Sequence, residues 1–263
     1  MSKFHPPPAA GDEMVFSIFY GKDWITMTEI AMLADIHGNI PALTAAAADI
    51  AARGITTVYC LGDMCGRGPN GGAAIDWCRE HCDVILMGNW DEHVALGRRQ
   101  DYLQEAGPER QAFLQTLPLT HKFWMSGRRI HLFHGRPLIN DIFMPEDSAE
   151  RKSKMFSIVK DDCPPDIVIY ADIHRQFKHD FKDSSRILMN TGSIGNSFCT
   201  ATACYLILKG TFDSRDKTPI SFEFVSVPYD NRQAAENVKK AEWFGSPEEY
   251  IKEVTTGTWQ PNL

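Results

Sequence analysis

The chain reads as an α/β layered protein, and three observations carry that reading. From Met27 onward, short apolar runs alternate with longer amphipathic stretches, the strand–helix–strand order of a layered α/β domain. Three successive apolar runs stop on side chains of related chemistry: Asp35 and His37, then Asp63, then Asn89. Open α/β sheets present their ligand groups at those carboxyl edges. Finally, 263 residues with 43% hydrophobic and 23% charged content suffice for one well-filled core.

The first strand covers Ile30-Ala31-Met32-Leu33-Ala34 and ends abruptly at Asp35-Ile36-His37-Gly38-Asn39. Residues two apart in a strand point the same way, so Asp35 and His37 are expected on one face. Pro41 opens an alanine-rich helix that reaches Arg53 and is closed by Gly54. Thr57 to Leu61 is the second buried strand, leading to Gly62-Asp63; Asn70 to Cys82 is a helix; Val84 to Met87 is the third strand, leading to Gly88-Asn89. Asp91 to Leu117 is helical and polar, broken at Gly107-Pro108. Residues 122–125 and 129–133 flank Ser126-Gly127-Arg128, a hairpin signature, and the second of these strands ends on His134-Gly135. The pattern then predicts a helix over Glu146 to Lys160, a strand over Asp166 to Tyr170 leading to Ala171-Asp172-Ile173-His174, and a hairpin over 177–189. Two late strands follow at 203–208 and 220–227, then a helix announced by Ser246-Pro247-Glu248-Glu249. Residues 1–26 are expected to form a poorly ordered extension. Residues 27–263 are read as a single domain with C-terminal helices, free of internal repeats and low-complexity linkers.

A net charge of −7 argues against non-specific nucleic-acid binding, and an anionic substrate would need local positive charge such as bound cations. Seven cysteines, an odd number without a Cys-x-x-Cys pair, read as reduced core residues of a cytoplasmic protein. Cys78, His81 and Cys82 share a helix face, and without a second pair they are read as packing. No apolar stretch is long enough to span a membrane, and the N-terminus lacks the pattern of a secretory signal.

Five strand ends together present Asp35, His37, Asp63, Asn89, His134 and His174 beside glycines or short turns. Mixed oxygen and nitrogen ligands without thiolate suit Mn, Fe or Zn, and a pair of such ions is a standard device of phosphoryl chemistry. The motifs Asp35-Ile36-His37, Gly62-Asp63, Gly88-Asn89-Trp90-Asp91, His134-Gly135 and Ala171-Asp172-Ile173-His174, in this order, resemble those of the calcineurin-like metallophosphoesterases. The resemblance runs from about Met27 to Tyr229 and includes Gly66-Arg67-Gly68-Pro69-Asn70 and the Asn190–Gly195 stretch. It implies a four-layer fold, a β-sandwich flanked by helices, and a metal-dependent phosphoesterase. By position, Asp35, His37, Asp63 and His174 would hold the first of two metal ions, Asp63 would bridge, and Asn89 and His134 would hold the second. Mn or Fe is the expected metal, with Zn, Mg or Ni as alternatives. The Gly-Asn-Trp spelling and residues 224–257 look most like the bacterial branch that contains asymmetrical diadenosine tetraphosphate hydrolases.

Two positions depart from the family pattern. Trp90 stands where many relatives carry a histidine that protonates the leaving group; an indole N–H is no useful acid. A phosphate leaving group, with a last ionisation near ~6, needs far less help than an alkoxide, which favours phosphoanhydrides. Trp90 then either stacks on a base or packs in the core, and His93 is the candidate substitute acid. Asp172 stands where relatives carry a histidine on the second metal; as a ligand it would shift that site toward Mn or Mg. Asn39 and Arg67, just beyond metal-bearing strand ends, are candidates to touch substrate phosphate. The expected partner is a small phosphorylated molecule, a nucleotide above others. The alternatives are a phosphomonoesterase or protein phosphatase, or a site-degenerate binding scaffold of the same fold.

Overall fold

A computed structural model describes residues 16–20, 23–182, 184–245 and 247–258. In chain order the first half runs β1 (Phe16–Tyr20), β2 (Asp23–Leu33), α1 (Ile40–Ala52), β3 (Thr57–Cys60), α2 (Gly71–His81), β4 (Val84–Ile85), α3 (Asn89–Ala95), α4 (Gln100–Leu114), β5 (Thr120–Met125) and β6 (Arg128–Phe133). The second half runs α5 (Ala149–Ser153), β7 (Ile167–Tyr170), β8 (Phe177–Asp180), β9 (Ile187–Asn190), β10 (Ala203–Gly210), β11 (Ser221–Val227), α6 (Asn231–Lys240) and α7 (Pro247–Thr256).

The strands form two mixed sheets. One has the order β11-β10-β2-β3-β4 with β1 paired to β2; the other has the order β5-β6-β7-β9-β8. Within them, β2-β3-β4 and β6-β7-β9 are parallel, and the outer pairings are antiparallel. The strand pleat explains how the layers stack. On β2, Ile30 and Met32 join Leu206, Leu208, Ile130, Leu132, Ile167 and Ile169 between the two sheets. Ala31 and Leu33, on the opposite face, pack with Tyr205 and Ile207 against Ala42, Ala46, Ala74, Cys78 and Val238 of the helices. The outer face of the second sheet (Phe133, Val168, Tyr170, Leu188) is covered by Phe143, Met155 and Phe156. Helices, sheet, sheet and a partly helical cover make the four layers expected from the sequence.

Several boundaries differ from the sequence reading. Residues 16–20 and 23–27 pair as an antiparallel ribbon, Phe16 opposite Met27 through Tyr20 opposite Asp23. That pairing satisfies backbone groups that would otherwise face water alone. The long helix expected over 91–117 is two helices, and α4 is itself kinked at Gly107 (φ 79°) ahead of Pro108. The helix expected over 146–160 shrinks to α5 and a tighter turn over Lys154–Ser157, a winding that puts the adjacent Met155 and Phe156 both under cover. The hairpin expected around Ser126-Gly127 is present, with both residues at positive φ as a tight hairpin turn requires. α7 begins at Pro247 as expected, and its expected cap, Ser246, lies outside the described residues. Among the described residues, no helix is long and apolar enough to cross a membrane.

Candidate metal centre

The parallel strands deliver their carboxyl ends to one edge of the sandwich, and the candidate ligands sit just past those ends. The pleat is not what brings them together. β2 stops at Leu33, and Asp35 (φ 52°) and His37 (φ 49°) both lie in left-handed turns; Asp63 (55°), Asp172 (73°) and His174 (56°) do the same. The expectation that strand alternation aims Asp35 and His37 is corrected accordingly: repeated left-handed residues fold each loop back over the strand end. Such backbone costs about 1 kcal/mol or more per non-glycine residue, and it persists where the surroundings over-determine it.

Those surroundings are visible. Asp35 N–H donates to Gly62 O and His37 N–H to Asp63 O, both at 3.0 Å, which stitches the first two loops together. Gly195 N–H (2.8 Å) and the Ser193 hydroxyl (2.8 Å) both donate to Asp35 O. Asn190 closes its own turn, donating to Ala171 O and accepting from Gly192 N–H. Asp91 plays the same part for the third strand end. Its carboxylate accepts from the N–H groups of Asp63 (2.7 Å), Met64 (3.1 Å), Cys65 (3.3 Å) and Gly88 (3.1 Å). Burial and the neighbouring Asp63 charge push its carboxyl up to about 6. Sequence reading named Asp91 only as part of a motif; its contacts make it the clamp between two ligand loops.

Among the described residues, two groups of side chains bring ligand atoms within 4.8 Å of one another: Asp35, His37 and His174, and Asp35, Asp63 and His134, all buried. Asp35 belongs to both. Asp63 faces both as well, its Oδ2 lying 3.7 Å from His37 Nε2 and 3.3 Å from His134 Nε2. Each imidazole has its tautomer set from behind. Nδ1 contacts Cys65 O in His37 (3.2 Å), Leu61 O in His134 (2.8 Å) and Asn196 O in His174 (3.2 Å). A carbonyl only accepts, so Nδ1 is the donor at each contact and Nε2 is the atom left facing inward for a cation, the usual arrangement behind metal-ligating histidines.

The orphaned atoms fit a cation. Asp35 Oδ1, Asn89 Oδ1 and His134 Nε2 are buried and make no hydrogen bond. Burial, reinforced by His174, lowers the pKa of His37 well below the ordinary value. At His134 burial also acts to lower the pKa, but the Asp63 and Asp35 carboxylates outweigh it and raise the value well above the ordinary one. The group of Asp35, Asp63 and His134 thus concentrates negative charge of the kind a cation offsets.

A cleft of about 620 Å³ opens on this edge, lined by Asp63, Asn89, Asp172 and His174 together with apolar groups that include Trp90, Ile142, Met144, Ile173 and Phe198. Trp90 is placed between the cleft and the core. It lines the cleft, packs half-buried on the core, and lies under the Arg99 guanidinium, 4.9 Å from the ring centre.

Four other candidate residues have partners of their own in the structure. Asp172 belongs to neither ligand group; its carboxylate is held by Arg136 at 2.7–3.2 Å. Asn39 is buried and fully used as the cap of α1, accepting from Ala42 N–H and donating to Gly195 O and Tyr229 OH, so it has no proton left for a phosphate. Arg67 reaches the cleft wall, but its Nη2 is held by both oxygens of the buried Glu253 at 2.6 and 2.5 Å. That pair ties α7 to the loop that follows Asp63. His93 packs beside Trp90 with ring centres 6.0 Å apart and is not among the residues lining the cleft. One helical turn beyond Asn89, it is carried along the axis of α3 away from the strand end. On the Cys78–His81–Cys82 face, Cys78 is buried in the core while His81 is exposed and stacked on Trp77.

A two-layer sandwich with this loop edge defines the metallophosphoesterase architecture. The family model for the calcineurin-like phosphoesterase superfamily domain matches residues 28–211, most of the chain, and the chain belongs to that family. The uncharacterized protein MJ0912 of Methanocaldococcus jannaschii is 27% identical over 243 residues, covering 82% of this chain and 95% of that protein. Among solved structures, a metallophosphoesterase from Sphaerobacter thermophilus superposes with a TM-score of 0.68 at 18% identity, covering 88% of this chain and 99% of that one. The hypothetical protein PH1004 from Pyrococcus horikoshii OT3 gives 0.69 at 20% identity, covering 89% and 100%. Both likenesses are of fold.

Proposed function

We propose that the chain is a dinuclear metal-dependent phosphohydrolase whose substrate is a phosphoanhydride or phosphodiester carrying a planar apolar group, as a nucleotide does. The observation that carries this reading is the pair of overlapping buried ligand groups, Asp35–His37–His174 and Asp35–Asp63–His134, with orphaned Asn89 Oδ1 beside them. Asp35, Asp63, His37 and His174 would hold one ion, and Asn89 and His134 the other, with both carboxylates facing both positions. Mixed O/N donors without thiolate favour Mn or Fe. Ions held there supply charge for the phosphoryl oxygens and a nucleophile from water near neutral pH.

This chain's residues do the rest. The Nδ1–carbonyl contacts hold the imidazoles in one orientation, and Asp91 fixes the Asp63 turn. The apolar wall of Trp90, Ile142, Met144 and Phe198 excludes water and offers a face for a base. No side chain that is a good acid stands at the Trp90 position, so leaving groups of low pKa are favoured. A dinucleoside polyphosphate such as diadenosine tetraphosphate fits that requirement. The test is hydrolysis by the Mn-loaded protein of diadenosine tetraphosphate, bis(p-nitrophenyl) phosphate and a phosphoserine peptide side by side. Turnover of the first two and not the peptide is expected. Preference for the peptide would reverse the substrate class, and an absence of both bound metal and turnover would favour the binding-scaffold alternative.

A further inference from the structure

Arg136 follows the His134-Gly135 turn and reaches back to Asp172. Its Nε lies 3.2 and 3.0 Å from the two carboxylate oxygens, and its Nη2 lies 2.7 Å from Oδ1. The acid is buried, at 4% side-chain exposure, while the guanidinium is 41% exposed and lines the cleft. Asp172 is itself pinned, its N–H donating to Asp35 Oδ2 at 3.3 Å. These bonds use Nε and Nη2, and among the described residues Nη1 makes no hydrogen bond. The other arginines of the cleft differ. Arg67 is nearly buried on Glu253, and Arg175 pairs outward with the exposed Glu146.

We propose that Arg136 is the anion-binding group of this cleft, taking a phosphoryl oxygen of the substrate, and that Asp172 is its positioning residue and not a metal ligand. The inference rests on the phosphohydrolase reading above. A guanidinium presents its donors in a fixed plane, so one edge can be held by a carboxylate while the other meets a phosphate. Because the buried Asp172 fixes that plane beforehand, little side-chain freedom is lost when the anion arrives. The position where relatives place a metal-binding histidine has, in this chain, become the anchor of a substrate clamp. The clamp adds local positive charge to a chain of net charge −7.

The test uses the Mn-loaded full chain with inorganic phosphate as the probe. Calorimetric affinity for phosphate, metal content, and KM and kcat for bis(p-nitrophenyl) phosphate are measured for the wild type, Arg136→Ala, Arg136→Lys, Asp172→Asn and Asp172→Ala. Arg136→Ala is expected to weaken phosphate about 10-fold or more and to raise KM with the metal content unchanged. Arg136→Lys should recover part of the loss, since a lysine supplies the charge without the fork. Both Asp172 variants should keep the full metal content while phosphate affinity falls. Loss of one metal equivalent in Asp172→Ala would overturn the assignment of Asp172. Unchanged phosphate affinity in Arg136→Ala, in an active wild-type background, would overturn the clamp alone. A wild type without metal or turnover would overturn the phosphohydrolase reading and the clamp with it.

Discussion

The Nε2 atoms of His37 and His174 face each other across 3.1 Å, deep in the protein. Both rings also have Nδ1 against a backbone carbonyl, so with Nδ1 protonated the two Nε2 lone pairs would meet across that gap. A cation held between them would be ligated by both lone pairs. Metal binding is therefore expected to stabilise the fold strongly. At a thousandfold excess over Kd the gain is about 4 kcal/mol per site, and for a domain of this size it corresponds to roughly 10 °C in Tm. Thermal melts with Mn and after exhaustive chelation check this, and equal melting temperatures would contradict it.

Gly88 sets how closely the third strand end approaches the site. A Cβ there would lie 2.1 Å from Asp63 Oδ1 and 2.4 Å from Asp63 N, atoms that cannot both retreat. Gly88→Ala is expected to displace the carboxylate that faces both ligand groups, lowering metal content and cutting turnover by about 100-fold or more, the upper range for disturbed metal surroundings. Metal analysis alongside kcat measures both. A variant with full metal content and full kcat would show that Asp63 has room to move.

Much of this was legible in the sequence because it rests on local chemistry. Apolar runs such as Ile30–Leu33 and Ile167–Tyr170 specify buried strands, and the abrupt polar stops after them mark the site edge. Two kinds of feature were hidden. The backbone at Asp35, His37 and Asp63 is left-handed through contacts between loops far apart in sequence, which no local pattern encodes. The partners of Asp172, Arg67 and Asn39 are likewise non-local. Arg136 is 36 residues from Asp172, Glu253 is 186 from Arg67, and Gly195 is 156 from Asn39. A polar residue beside a strand end looks free for substrate until its distant partner is known. The His134-Gly135-Arg136 spelling was the one available signal for the clamp, since it sets a cation immediately after a candidate ligand.

Asn39 illustrates the difference between structural and substrate roles. Asn39→Ala removes the cap of α1 and the bonds to Gly195 and Tyr229, so it is expected to destabilise the fold by about 1–3 kcal/mol. Below the melting transition, KM should change by less than twofold. Denaturant unfolding and steady-state kinetics separate the two effects, and a large KM change with normal stability would restore Asn39 to the substrate site.

A pH effect on stability is expected from His131, away from the site. Burial, with Lys122 and Arg129 nearby, lowers its pKa to about 4, against the partial opposition of Asp161. A histidine held neutral in the fold but free to protonate when unfolded contributes stability that is present above its unfolded pKa of ~6.5. That stability is lost as pH falls from there toward 4, by on the order of 2 kcal/mol. Asp161, 4.0 Å from the ring, pairs with both Lys122 and Arg129 at 2.6 Å and stays charged through that window. His131→Gln should flatten the stability profile between pH 6.5 and 4 in urea titrations, and an unchanged slope would assign the titration elsewhere.

The most direct measurement is anomalous diffraction from crystals grown with Mn. Two peaks about 3.5–4 Å apart are expected, one among Asp35, His37 and His174 and the other reached by His134 and Asn89, with Asp172 still on Arg136. A single peak, no peak at all, or a peak coordinated by Asp172 would contradict this account.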